Sequence, residues 1–239
     1  MTRKPPARPP VPQKNAARSS SGGESPRRAP AKNELRIVKA EFEKSLPDFK
    51  SLPRGELPEI AFLGRSNVGK SSLLNALCER KALARVSKTP GRTQTFNFYR
   101  LEFEAEKKRI PCHFVDLPGY GYAVIDKATR RRWSEMIGSY VLDRENLQMV
   151  LLLIDSRRSP GEEERYIAEI GREGNLVVVL TKCDKLSQNE LRSAMKKMSA
   201  ELGLPEQRVL PSSILRDKHD RTGALREFIF ESALTNDDR

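Results

Sequence analysis

Residues Glu59-Ile60-Ala61-Phe62-Leu63-Gly64-Arg65-Ser66-Asn67-Val68-Gly69-Lys70-Ser71 decide the reading of this chain. A short apolar strand runs into the pattern G-x-x-x-x-G-K-S, and Ser72-Leu73-Leu74-Asn75-Ala76-Leu77 continues it as a helix. Each residue type has a physical task. The glycines let backbone N–H groups curl around phosphate oxygens, Lys70 reaches the β- and γ-phosphates, and the Ser71 hydroxyl is placed to ligate Mg²⁺. The helix N-terminus adds the positive end of its dipole to the same anion site. The stretch predicts that the chain holds a nucleoside triphosphate, with residues 64–71 as its phosphate loop.

Working outward, strands alternate with helices. Residues 95–103 alternate bulky and polar side chains and, with 110–115 across a charged turn at Glu106-Lys107-Lys108-Arg109, predict a hairpin. Residues 149–154 and 176–180 are continuous apolar runs of strand length, as strands buried on both faces of a mostly parallel sheet require. A further strand falls at 209–211, and helical patterns fall at 127–144, 162–172, 189–202 and 221–232. The expectation is a three-layer α/β fold of the P-loop NTPase type, its sheet mostly parallel with one antiparallel edge strand.

Three further signals sit at predicted strand ends. Asp116-Leu117-Pro118-Gly119 follows 110–115, where the carboxylate can hold Mg²⁺ through water and the Gly119 N–H can meet the γ-phosphate. Thr181-Lys182-Cys183-Asp184 follows 176–180; Asp184 can accept from the ring N–H and exocyclic amine of guanine while the Lys182 stem covers the base. The usual form of this motif begins with Asn, so Thr181 is a departure expected to weaken the tether between loops. Ser212-Ser213-Ile214 follows 209–211, where a backbone N–H can donate to the guanine O6.

The net charge is +12, and eight Lys and Arg side chains in residues 1–33 stand against Glu24 alone, placing +7 of it there. Such a balance points to an acidic partner such as nucleic acid, with solubility alone as the other reading. Residues 1–33 are rich in Pro, Arg and Ser with almost no bulky apolar side chain, and are expected to be a disordered basic tail before a domain at 34–239. The composition also suits an organellar transit peptide, against which the many prolines speak. No apolar run nears the ~18 residues that span a bilayer, so the chain reads as soluble. Cys78, Cys112 and Cys183, far apart and without C-x-x-C spacing, read as reduced thiols of a cytoplasmic protein.

Taken together, residues 64–71, Lys88-Thr89-Pro90-Gly91-Arg92-Thr93-Gln94-Thr95-Phe96-Asn97-Phe98-Tyr99, Asp116-Leu117-Pro118-Gly119-Tyr120-Gly121-Tyr122-Ala123 and Thr181 to Asp184 closely resemble the EngB family of bacterial GTPases, also called YihA or YsxC. The resemblance covers roughly residues 35–235. It implies a Ras-like GTP-binding domain that assists large ribosomal subunit assembly and is needed for normal cell division and septation. It also makes Thr93 the switch threonine that ligates Mg²⁺ beside Ser71, within a nucleotide-binding loop of Gly91, Arg92, Thr93, Gln94 and Thr95. From the residues alone, this Gly-, Pro- and Thr-bearing loop is one that γ-phosphate and Mg²⁺ can order.

Some roles stay open. Tyr120 stands where many GTPases carry a water-orienting glutamine, so hydrolysis is expected to be slow, with Arg92 and Gln94 the nearby polar substitutes and no catalytic base assigned. In related GTPases an asparagine at the Asn67 position helps bind K⁺; a hydrogen bond within the loop is the other reading. Arg130-Arg131-Arg132 beside Trp133 suits rRNA phosphates or a solvated helix face. Asp155, Arg157 and Arg158 read equally as ordinary turn residues. His113 and His219 show no ligand spacing. The expected protein is a monomeric GTP-switched factor acting on the large ribosomal subunit; the alternative is an interaction protein of the division machinery regulated by GTP. A P-loop kinase using ATP is opposed by Asp184 and by the lack of an evident lid.

Overall fold

Strand β2 (Glu59–Gly64) lies between two parallel neighbours, and with β5 (Leu147–Asp155) and β6 (Leu176–Thr181) it forms the part of the sheet covered on both faces. The computed structural model describes residues 35–84, 95–106, 108–121, 126–213 and 221–235. The expected tail at 1–33, the loop at 91–94 with Thr93, and Ile214 lie outside them.

The remaining elements are β1 (Arg36–Leu46), α1 (Lys70–Leu77), β3 (Phe96–Ala105), β4 (Lys108–Asp116), α2 (Lys127–Asp143), α3 (Glu162–Ile170), α4 (Gln188–Leu202), β7 (Val209–Pro211) and α5 (Arg221–Ala233). The seven strands order as β1-β3-β4-β2-β5-β6-β7. Only β3 runs against the others, pairing antiparallel with β1 on one side and β4 on the other. The fold is the three-layer α/β architecture that the alternation predicts.

The period of two along each central strand explains both layers. Ala61, Leu63, Val150, Leu152, Val178 and Leu180 face a core closed by Ile137 and Tyr140 of α2, Ile167 of α3 and Met198 of α4. Ile60, Phe62, Leu151, Leu153, Val177 and Val179 face the opposite core, closed by Leu73 and Leu77 of α1 and Leu225 and Ile229 of α5. Each Val, Leu, Ile, Phe or Met side chain among them contributes ~1.5–3 kcal/mol on burial. That demand from both sides is why these strands read as unbroken apolar runs.

Strand β1 is absent from the sequence reading, which assigns no element before Glu59. Its pairing with β3 slips between Ile37 and Lys39 and again between Phe42 and Lys44, and each slip breaks the alternation by which a strand is recognised. The strand also carries Arg36, Lys39, Glu41, Glu43 and Lys44, the charges that keep an open edge from pairing with another chain.

Because β2, β4, β5, β6 and β7 are mutually parallel, their carboxyl ends share one edge of the sheet. This is where open α/β sheets place ligands. Strand β3 starts at the same edge, since Asn97 pairs with Asp116, and Thr95 precedes it with its hydroxyl 3.3 Å from Asn97 Oδ1.

Candidate nucleotide-binding site

The chain leaves β2 at Gly64, where a Cβ would stand 2.9 Å from the Leu153 carbonyl and from Val68 Cγ1. Only glycine lets the loop turn so close to β5. Before α1, Gly69 has φ 108°, in the left-handed region, and no side chain caps the helix. The first N–H groups of α1 therefore remain available to an anion. Ser66 N donates to Tyr120 O at 2.9 Å and Val68 N to Arg65 O at 3.1 Å, fixing the arch between these glycines.

On one side of the arch, Asp116 ends β4 level with Phe62 and is almost fully buried. Lys70 Nζ pairs with its carboxylate and donates to the Leu117 carbonyl at 2.6 Å. Behind Leu117, the Pro118 carbonyl accepts from Trp133 Nε1 at 3.0 Å, and the Tyr120 and Trp133 rings lie 5.0 Å apart. Tyr120 is 3% exposed and packs in the core beneath α2. Burial, with Glu164 and then Glu163 adding negative charge, pushes its phenol well above the ordinary range, so it stays neutral. Its buried ring packs against Trp133 behind the Asp116 to Gly119 turn.

On the other side, Thr181 ends β6 fully buried, and its hydroxyl donates to Val68 O at 2.9 Å. Threonine thus makes a loop-to-loop bond at the position where the usual motif carries Asn. Lys182 follows in the left-handed region at φ 59°, its Nζ 3.2 Å from Asn67 O and 3.0 Å from Asp155 Oδ2. Asp184 Oδ1 lies 3.4 Å from Ser213 Oγ, and Cys183 N donates to Ser212 O at 3.4 Å, joining the loop after β6 to the loop after β7. Burial raises the Cys183 thiol pKa, leaving the side chain a packing group.

The structure thus brings together residues 64–71, 116–119, 181–184 and Ser212 with Ser213. Two participants carry no site role in the sequence reading. Trp133 belongs to the turn through its bond to Pro118, and Asp155 belongs to the Lys182 loop. Arg157 first, then Lys182, holds the Asp155 carboxyl well below the usual carboxylate range. The signal for Asp155 is a charge ending a buried strand level with Thr181, the same placement as Asp116. In the basic cluster, Arg130 pairs with Glu162 at 3.1 Å and Arg131 with Glu135 at 2.8 Å, both on exposed surface.

Residues 59–182 match the sequence model of the family described as 50S ribosome-binding GTPase. The EngB GTP-binding protein of Syntrophus aciditrophicus is 44% identical over 201 residues, 82% of this chain and 94% of that protein. The chain belongs to the EngB family of GTP-binding proteins. EngB of Geobacter sulfurreducens is 42% identical over 198 residues, covering 82% of this chain and 93% of its own. A crystal structure of an EngB protein superposes with TM-score 0.54 at 24% identity, over 73% of this chain and 98% of that one. A variant of Aquifex aeolicus Era bound to GDP·AlF₄⁻ superposes at TM-score 0.57 with 22% identity, over 73% of this chain and 56% of Era, a likeness of fold.

Proposed function

We propose that this EngB-family protein binds GTP and GDP at residues 64–71, 116–119, 181–184 and 212–214, hydrolyses GTP slowly, and uses the GTP state to engage the large ribosomal subunit during its assembly, in support of normal division and septation. The observation that carries the reading is the double tether of the Asp184 loop to the phosphate loop, through Thr181 to Val68 O and Lys182 to Asn67 O. A base-reading carboxylate is thereby held at fixed reach from the phosphate cradle.

The donor chemistry fits Mg²⁺. Ser71 lies in the first turn of α1 and Asp116 ends β4, two hard oxygen donors at one edge, and Mg²⁺ takes its remaining oxygens from phosphates and water rather than from a protein cage. Ser71 would ligate the ion directly, with Thr93, and Asp116 through water; the ion would neutralise charge between the β- and γ-phosphates. An arriving phosphate also gives Lys70 a partner in place of Asp116. For K⁺, Asn67 sits exposed in the phosphate loop at φ 62°, where its side-chain oxygen would be free to serve as a ligand in place of the loop bond. Exchange of K⁺ for Na⁺ should then slow hydrolysis, and an unchanged rate removes the ion from the account.

Large-subunit binding is supported by the family description and by the +12 charge. Among the described residues no helix is long and apolar enough to cross a membrane. Sedimentation of the full chain, as a monomer, with separated ribosomal subunits should show more protein on the large subunit in GTP than in GDP. Removing residues 1–33 should weaken binding and flatten its fall with salt while keeping the GTP preference. No sedimentation in either state, with GTP binding intact, would move the function to a protein partner of the division machinery.

A further inference from the structure

Strand β5 ends on Asp155, directly beside Thr181 of β6, and Ser156 N donates to Thr181 O at 3.0 Å. The register carries the Asp155 side chain to the loop that follows β6. Arg157 grips it as a fork, Nε to Oδ1 at 2.8 Å and Nη2 to Oδ2 at 2.7 Å, and Arg157 N adds a bond to Oδ1 at 3.1 Å. Both oxygens are thus fixed in direction, as a bidentate guanidinium enforces. The carboxylate then presents Oδ2 to Lys182 Nζ at 3.0 Å, and the same ammonium reaches Asn67 O at 3.2 Å.

Lys182 is unusual in its backbone as well. Its left-handed φ of 59° is costly for a side chain with a Cβ and persists only where the surroundings over-determine it. Asp155 supplies that constraint at the end of the side chain, since without it the ammonium keeps only a carbonyl partner. The aliphatic stem of Lys182 is the part of the loop that can lie along a base, and its path is set by where Nζ is anchored.

We propose that Asp155, aligned by Arg157, is a positioning residue for the guanine nucleotide: it anchors Lys182 between β5 and the phosphate loop and so sets how long the nucleotide stays bound. This rests on the guanine-nucleotide reading above and deepens it. Asp155 touches neither base nor phosphate; it acts through Lys182. Base choice stays with Asp184, so loosening the anchor shortens residence without altering which base is preferred.

The test follows dissociation of mant-GDP from the full-length protein, chased with excess GDP. Release from the bound complex is unimolecular, so a smaller folded fraction in a variant does not change the rate. Asp155→Asn should speed release about tenfold, as expected when one partner of a partly buried charge pair is removed. Preference for GDP over ADP in competition should persist. Asp155→Glu, which keeps a carboxylate, should recover most of the residence time, and Asp155→Asn should add almost nothing in a Lys182→Met background. Release within twofold of wild type in Asp155→Asn, equal rates for Asn and Glu, or an undiminished effect without Lys182 would each overturn the anchor. If wild type fails to prefer mant-GDP over ADP, the guanine reading falls first and the anchor falls with it.

Discussion

Two cation–carboxylate pairs flank β2, and they are built for opposite ends. At its start, Glu59 is fully buried and receives Arg144 Nε at 3.0 Å and Nη2 at 2.5 Å together with the Tyr140 hydroxyl at 2.7 Å. Arg144 donates again to Pro53 O at 2.7 Å, tying the segment before β2 to the end of α2. Past the other end of the strand, Lys70 holds Asp116 and the Leu117 carbonyl. The first pair is closed, because a planar fork and a hydroxyl occupy the carboxylate and no anion approaches. The second uses a compact ammonium on a flexible stem at the edge where strand ends gather, and a phosphate can take over one of its bonds. The same charge chemistry holds the fold at one end of β2 and stays exchangeable at the other.

That contrast can be broken most severely at Glu59. Glu59→Ala leaves the part-buried Arg144 without its carboxylate and the buried Tyr140 hydroxyl without its acceptor, and should cost ~3–5 kcal/mol in urea unfolding, with GDP affinity of the folded protein unchanged. Lys70→Ala should act chiefly on the site, reducing nucleotide binding by ~2–5 kcal/mol in titration calorimetry. It orphans the nearly buried Asp116 and should destabilise the fold as well, but by less than Glu59→Ala, since one ion pair and one carbonyl bond are lost against three bonds to Glu59. If Lys70→Ala destabilises the fold as much as Glu59→Ala, the two pairs do the same job and the contrast fails.

Smaller effects sharpen the base side of the site. Asp184→Asn should lose ~1.5–3 kcal/mol of GTP binding, one to two decades, and gain affinity for xanthosine nucleotides. Thr181→Val keeps the shape but removes the donor to Val68 O, and should cost about 1 kcal/mol of stability that Thr181→Ser restores. Smallest of all, Tyr120→Phe should leave the hydrolysis rate within about twofold, because the phenol is buried and neutral rather than facing a reacting water. A hundredfold fall in that variant at unchanged GTP affinity would return Tyr120 to the chemistry.

The order of the fold was legible because β2, β5 and β6 are packed on both faces, so burial itself writes unbroken apolar runs such as residues 149–154. The phosphate loop was legible for a related reason: Gly64 and Gly69 are required by close approach and a left-handed backbone, which few residues meet. Strand β1 was not, because two slips against β3 scramble its alternation and its charges resemble a linker. The Thr181 tether hid in a side chain too short to be read as a link to Val68, and Asp155 hid because its partners, Arg157 and Lys182, are joined only once β5 and β6 lie side by side. Trp133 reads as an ordinary aromatic on a helix until Pro118 is brought to its Nε1.

The central claim, that Asp184 held to an exchangeable phosphate cradle makes this a guanine-nucleotide site, is tested most directly by equilibrium competition of GTP and ATP against mant-GDP on the full chain in Mg²⁺. ATP should need at least ~30-fold more than GTP for equal displacement, the consequence of about 2 kcal/mol from the paired contact. Displacement by ATP and GTP at the same concentration would contradict it.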